Sequence, residues 1–152
     1  MRVTAKADYA VRAAIELVGS SEQAPRKAEA IAAAQSIPPS FLENILNQLK
    51  SAGIVRSQRG PDGGWWLLRP AGELTLADVI RAVEGPLASV RGERPERINY
   101  TGTAAPLQDV WIALRANIRE VLEHVTVEQV ASGKLPPLIA KLARSPQAWS
   151  SA

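Results

Sequence analysis

The run "IPPSFLENILNQLKSAGIVRSQRGPDGGWWLLRP" (37–70) leaves this chain little choice of architecture. Pro38 and Pro39 lack amide donors and force a turn, so a helix arriving from upstream must stop there. Pro39 itself suits a first helical turn, and Phe41, Leu42, Ile45, Leu46 and Leu49 recur as one apolar face, with Gly53 just past the end. A helix over 39–52 follows. "IVRSQR" (54–59) and "WWLLR" (65–69) then read as two strands, with "GPDGG" turning between them. The glycines serve a tight reversal at positive φ and a close approach to a backbone. A phosphate-cradling loop is excluded, because no Lys-Ser/Thr follows the glycines and no helix begins there.

Upstream, Thr4 can cap a helix near 5–20 in which Val11, Ala14, Ile15 and Val18 share a face. "SSEQAPR" is a loop and "KAEAIAAAQ" (27–35) a short helix. Two short helices joined by the turn at 36–38 make a helix-turn-helix, and the hairpin behind them makes it winged. Downstream, "TLADVIRAVEGPL" predicts a helix that Thr75 and Asp78 begin as a capping box and Gly85-Pro86 ends. Residues 88–105 lose periodicity and are long for a connection, which marks a functional or mobile segment. Leu107, Val110, Trp111, Leu114, Ile118 and Val121 then mark an amphipathic helix over about 106–124 with near-heptad spacing. Such a seam suits a partner helix from a second subunit. "TVEQ" starts a short helix at Thr126, another is expected from Pro137, and a frayed end follows. The predicted fold is mainly α with a small β-hairpin wing. Its units are 1–87 (winged helix-turn-helix), 88–105 (loop), 106–132 (dimerisation helix and its short successor) and 133–152 (tail).

The off-stripe face of the 39–52 helix carries Ser40, Glu43, Asn44, Asn47, Gln48 and Lys50, hydrogen-bonding side chains of the kind that reach base edges in a major groove. Any solvated helix can carry such residues, so the pattern gains force only from its neighbours. Arg59 and Gly60 stand where the hairpin turns, positioned for a minor groove. The adjacent Trp65 and Trp66 face opposite sides of their strand, one toward the core and one outward. Packing is favoured over base stacking for the outer ring. Charge placement agrees with a polyanionic partner: the net charge is +3, and the whole excess lies in residues 1–72, where nine Lys/Arg face six Asp/Glu.

Other classes find little support. With no cysteine and a single histidine, His124, the chain has no thiolate chemistry and a poor set of metal donors. His124 has no evident orienting partner, and nothing resembles a catalytic constellation, so an enzyme is not expected. No apolar run approaches the roughly 20 residues of a membrane span, and the amino end lacks signal-peptide character, so the cytosol is the expected compartment. A winged helix that binds protein and not DNA is the surviving alternative.

The segments "MRVTAKADYAVRAAIELV", "IPPSFLENILNQLKSAGIVRSQRGPDGGWWLLRP" and "LTLADVIRAVEGPL" resemble the Rrf2 family of bacterial winged-helix regulators over most of residues 1–87, and more weakly through the long helix and "VTVEQV". The resemblance implies a homodimeric transcriptional regulator, usually a repressor, on a palindromic operator. By position it implies base contacts from Ser40 and Glu43, a minor-groove contact from Arg59, and phosphate contacts from Thr4, Lys6 and Tyr9. It also implies that the 106–124 helix mediates dimerisation. Many relatives bind an iron–sulfur cluster through three cysteines in the loop before that helix. The loop here, "VRGERPERINYTGTAAP", has none, and Arg12 stands where some relatives place a histidine ligand, leaving Asp8 as a lone oxygen donor. No cofactor is therefore expected. Two possibilities remain. One is a ligand-sensing or protein-sensing regulator, in which 88–105 or the gap between the winged unit and the long helix receives a small molecule. The other is a regulator with no effector, controlled by its own abundance. Arg91, Arg94, Arg97, Asn99 and Tyr100 suit an anionic effector and Trp65, Trp66 and Trp111 an aromatic one, with Trp66, Arg91, Tyr100 and Trp111 as the leading candidates. The three arginines, with Glu93 and Glu96 among them, also suit a solvated loop, and Trp111 also suits dimer packing.

Overall fold

The computed structural model describes residues 1–151. Helices α1 (Ala5–Glu16), α2 (Ala28–Gln35) and α3 (Pro39–Ser51) lead into strands β1 (Val55–Gln58) and β2 (Gly64–Leu67). Then come α4 (Leu76–Glu84), α5 (Leu107–Leu122), α6 (Val127–Ser132), α7 (Pro137–Ala143) and α8 (Pro146–Trp149), with single 3-10 turns at Pro95–Arg97 and Gly102–Ala104. This is the mainly helical, winged arrangement that the sequence predicts.

Thr4 caps α1, its hydroxyl accepting from the Ala7 amide at 3.1 Å. The helix ends at Glu16 and not near residue 20, because Gly19 adopts φ +85° and turns the chain. Leu17 is fully buried just past the helix, so the apolar signal outlasts the helical hydrogen bonds. Ser36, at φ +52°, ends α2. Leu42, Ile45, Leu46 and Leu49 of α3 pack inward, but Phe41 is 53% exposed and leaves the predicted stripe. It meets Tyr9 of α1 edge to face, with ring centroids 6.2 Å apart. Ala10, Ala13 and Ala14 are wholly buried and let α1 lie close to α3 and α4.

The strands pair antiparallel, Val55 opposite Leu67, Arg56 opposite Trp66 and Gln58 opposite Gly64. The stretch read as a plain loop supplies a third rung: the Arg26 amide donates to the Trp65 carbonyl at 2.8 Å, and the Arg26 carbonyl accepts from the Trp65 amide at 2.7 Å. This covers one edge of the hairpin. Neither tryptophan is fully buried. Trp65 leans on the core, and Trp66 is half-buried on the other face.

Both capping boxes form, Thr75 with Asp78 and Thr126 with Gln129. They lie back to back, for Leu76 donates to the Val125 carbonyl at 2.9 Å and Val127 to the Leu74 carbonyl at 2.8 Å. Val127 is fully buried in the same cluster as Leu17 and Leu49, so the chain after α5 returns to the core of the winged unit and α6 packs on α1. By contrast, α5 has no buried residue among the described residues. The 88–105 segment is more anchored than its composition suggests. Pro95 and Ile98 are buried, and the Gln108 side chain of α5 donates to the carbonyls of Pro95 at 3.3 Å and Glu96 at 3.4 Å. A last short helix, α8, stands where a frayed end is expected, and the Trp149 indole donates to the Ala143 carbonyl at the end of α7.

Candidate nucleic-acid interface

Burying the apolar side of α3 turns its other side outward by geometry alone. Ser40, Glu43, Asn44, Asn47 and Lys50 are all exposed, whereas Gln48 is half-buried with its Oε1 unsatisfied. The Lys50 ammonium donates to Ser57 Oγ at 3.0 Å and lies 6.0 Å from the Trp65 ring centroid, which couples the end of α3 to the hairpin. At the wing tip Arg59 is exposed, and its side chain makes no hydrogen bond or ion pair among the described residues. Gly60 is exposed beside it at φ +105°. The close approach that demands glycine is to the protein's own backbone: a Cβ on Gly63 would lie 2.0 Å from the Gln58 carbonyl oxygen, and one on Gly64 2.6 Å from that of Arg26.

Lys27 belongs to this surface too, though sequence reasoning passed over it. Its ammonium donates to the Gly60 carbonyl at 2.9 Å, tying the start of α2 to the wing tip and adding a positive charge there. Its position before an alanine-rich helix was legible, but its proximity to residue 60 was not. Behind the wing, Glu16 accepts from Arg26 at 2.9 Å and from Gln35 at 2.6 Å and joins three segments.

The α1 residues predicted at phosphates are differently placed. The Thr4 hydroxyl caps Ala7 and donates to the Glu84 carboxylate, so its single proton is engaged within the protein. Lys6 is half-buried. Tyr9 is half-buried between Phe41 and Arg12, whose guanidinium stands 5.0 Å from the ring centroid. Arg12 also donates to the Gln35 carbonyl at 2.5 Å and pairs with Asp8 at 2.8 Å.

The four effector candidates do not assemble into one site. Trp111 Nε1 donates to the Tyr100 hydroxyl at 3.0 Å, so these two do meet, and the bond takes up the indole's one donor. Trp66 is held in the hairpin opposite Arg56, and Arg91 is exposed at φ +53°. None of these four lines either of two clefts found elsewhere, whereas Arg94, also read as suited to an anion, lines the second. One, of about 640 Å³, is mainly apolar, with Val3, Ile80, Leu87, Ile118 and Val121 among its walls. The other, of about 450 Å³, lies between α4 and α5 and is lined by Arg81, Arg94, Arg115 and Arg119. Hydrogen bonds from Arg81 and Arg119 hold the Glu123 carboxyl below the ordinary glutamate value. A backbone N–H and Arg115 do the same for Glu96.

Comparison with known proteins gives this arrangement a family. Residues 3–133 match the Rrf2 family, described as iron-dependent transcriptional regulators. The donor set here does not fit iron held in the cysteine manner: the sequence has no cysteine, Asp8 is paired with Arg12, and His124 Nδ1 lies 2.8 Å from the Glu120 carbonyl. No group of three His, Asp or Glu suited to a metal occurs among the described residues. A Mycobacterium tuberculosis (strain H37Rv) relative, named for an HTH-type transcriptional regulator, is 48% identical over 94% of this chain and 89% of its own length. The HTH-type transcriptional regulator CymR of Bacillus subtilis is 30% identical over 87% of this chain and 91% of its own. Its solved structure, titled as that of the global cysteine regulator, superposes with a TM-score of 0.73, covering 88% of this chain and 98% of that one at 29% identity. The structure of T. potens IscR follows with a TM-score of 0.70 at 26% identity, over 88% of each chain. Both the sequence relatives and the solved structures are transcriptional regulators and not enzymes. With its helix-turn-helix, its wing and a match over residues 3–133, the chain belongs to the Rrf2 family of transcriptional regulators.

Proposed function

We propose that this regulator is a homodimeric, cytoplasmic DNA-binding repressor that recognises a palindromic operator without an iron–sulfur cluster. One observation carries the reading: α3 offers exposed Ser40, Glu43, Asn44 and Lys50 beside an uncommitted Arg59 at the wing tip, all in the half of the chain that holds the positive excess. α3 would enter a major groove, with Ser40, Glu43 and Asn44 at base edges. A carboxylate accepts from cytosine N4, and an amide can pair with adenine. Arg59 and Gly60 would reach the adjacent minor groove, and Lys6, Lys27, Lys50 and Tyr9 would supply phosphate contacts.

The exposed apolar face of α5 supports the dimer. Leu107, Trp111, Leu114, Ile118 and Val121 are only half-buried in the single chain, and Val110 is 55% exposed. A second copy would cover this seam and set two recognition helices about one DNA turn apart, as a palindrome requires. Membership in a family of HTH-type regulators supports DNA as the partner, whereas the protein-binding alternative has no observation of its own. A salt titration of operator binding tests the reading. Affinity for DNA recovered by selection from genomic fragments should fall linearly on a log–log plot as salt rises, with a slope near −0.9 per phosphate neutralised. A flat profile, or no sequence preference over competitor DNA, would overturn it.

A further inference from the structure

Four guanidinium groups line the cleft between α4 and α5. Arg81 reaches it from α4, Arg94 from the loop beside the Pro95–Arg97 turn, and Arg115 and Arg119 from α5; Gly85, Pro86, Leu87 and Glu96 complete its walls. Two carboxylates answer the four arginines. Glu96 pairs with Arg115, and Glu123 bridges Arg81 and Arg119, accepting from the latter at 2.9 Å. Both carboxyls are held ionised, so two positive charges remain unanswered. Arg94 makes no side-chain hydrogen bond or ion pair among the described residues. The nearby Glu96 carboxylate is already engaged by Arg115.

We infer that this cleft is a binding site for a small doubly charged oxyanion, a dicarboxylate or a phosphate group, held chiefly by Arg94 with Arg81 and Arg119. Guanidinium forks match the geometry of carboxylate and phosphate oxygens and bond them in pairs. The volume of about 450 Å³ lies within the usual range for small-molecule sites. Leu87, 9% exposed, gives the site an apolar wall on one side. The position has a consequence. α4 packs into the winged unit against α1 and α3, whereas α5 has no buried residue of its own, so an anion bridging Arg81 to Arg119 would fix the pose of α5 on that unit. Under the proposed function this would set the spacing of two recognition helices; the binding itself does not depend on that reading.

Isothermal titration of the full chain with inorganic phosphate and, separately, with succinate, at matched ionic strength, tests the site without DNA. Saturable binding of at least one is expected, and which of them binds assigns the ligand to phosphates or to dicarboxylates. Arg94→Ala should weaken that binding about ten- to a hundredfold with an unchanged Tm, since Arg94 holds no fold contact. Glu96→Gln, which removes a competing carboxylate, should tighten it. Failure of both anions to bind, or an Arg94→Ala protein that binds as the parent does, would overturn the site. Loss of DNA binding with oxyanion binding intact would instead count against the proposed function alone.

Discussion

A methyl group added at Gly63 would sit 2.0 Å from the Gln58 carbonyl oxygen and 2.8 Å from two carbonyl carbons, all backbone atoms of the opposing strand end. None of them can yield without opening the hairpin. Gly63→Ala should therefore cost about 1–3 kcal/mol in urea unfolding, comparable to overpacking a core, and should weaken DNA binding by shifting the wing. Arg59 presents the opposite case. It is exposed and uncommitted, so Arg59→Ala should leave thermal stability unchanged while operator binding loses about 1–3 kcal/mol. Equal affinity of parent and variant would remove the wing from recognition. The two substitutions separate a residue that shapes the wing from one that acts through it. Glu43 and Asn44 were legible as outward-facing because the α3 stripe assigns inner and outer faces by period. The bonds of Thr4 to Glu84 and of Lys27 to Gly60 were not, for they join residues far apart in the chain.

Among the elements, α5 depends most on charge. Glu123 at its end accepts from Arg81 of α4 and from Arg119 one turn earlier, and these bonds lower its pKa. A carboxyl whose folded pKa is depressed stabilises the fold above its unfolded pKa and loses that contribution as pH falls through the folded value. The parent should thus melt above Glu123→Gln at neutral pH, and the gap should close in acid below the ordinary glutamate range. A gap that persists unchanged at acid pH would show that Glu123 acts by packing and not by charge. Capping boxes at Thr75 and Thr126 were readable as residue patterns, and both helices start where those patterns put them. The early end of α1 was not, since apolar periodicity continues through Leu17 and Val18 although Gly19 has already turned the backbone.

Across the whole molecule, the winged unit is well filled and α5 is not. The buried cluster runs from α1 through α4 and takes in Val127 beyond α5, yet α5 contributes no buried residue to it. Leu114→Asp places a charge in the middle of the exposed seam. Equilibrium sedimentation should then find a monomer, because a carboxylate in a subunit contact has no partner there. Operator affinity should fall with it, as one recognition helix cannot read two half-sites. The monomer fold should persist, because Leu114 lies outside the buried cluster. A Leu114→Asp protein that remains dimeric would move the interface elsewhere, and the apolar cleft beside Ile118 and Val121 would be the next surface to probe.

By itself the sequence determined the helix–turn–helix–hairpin order, the faces of α3, the two capping boxes and the lack of cysteine ligands, because each depends on residues within a few positions of one another. Tertiary structure alone decided that Arg26 extends the wing, that α6 returns to the first core, that Phe41 meets Tyr9 at the surface, and that four arginines from three segments share one cleft. Periodicity records which side of an element is apolar. It does not record which distant side chain arrives against that element, and arrivals of that kind account for every site residue that pattern reading missed.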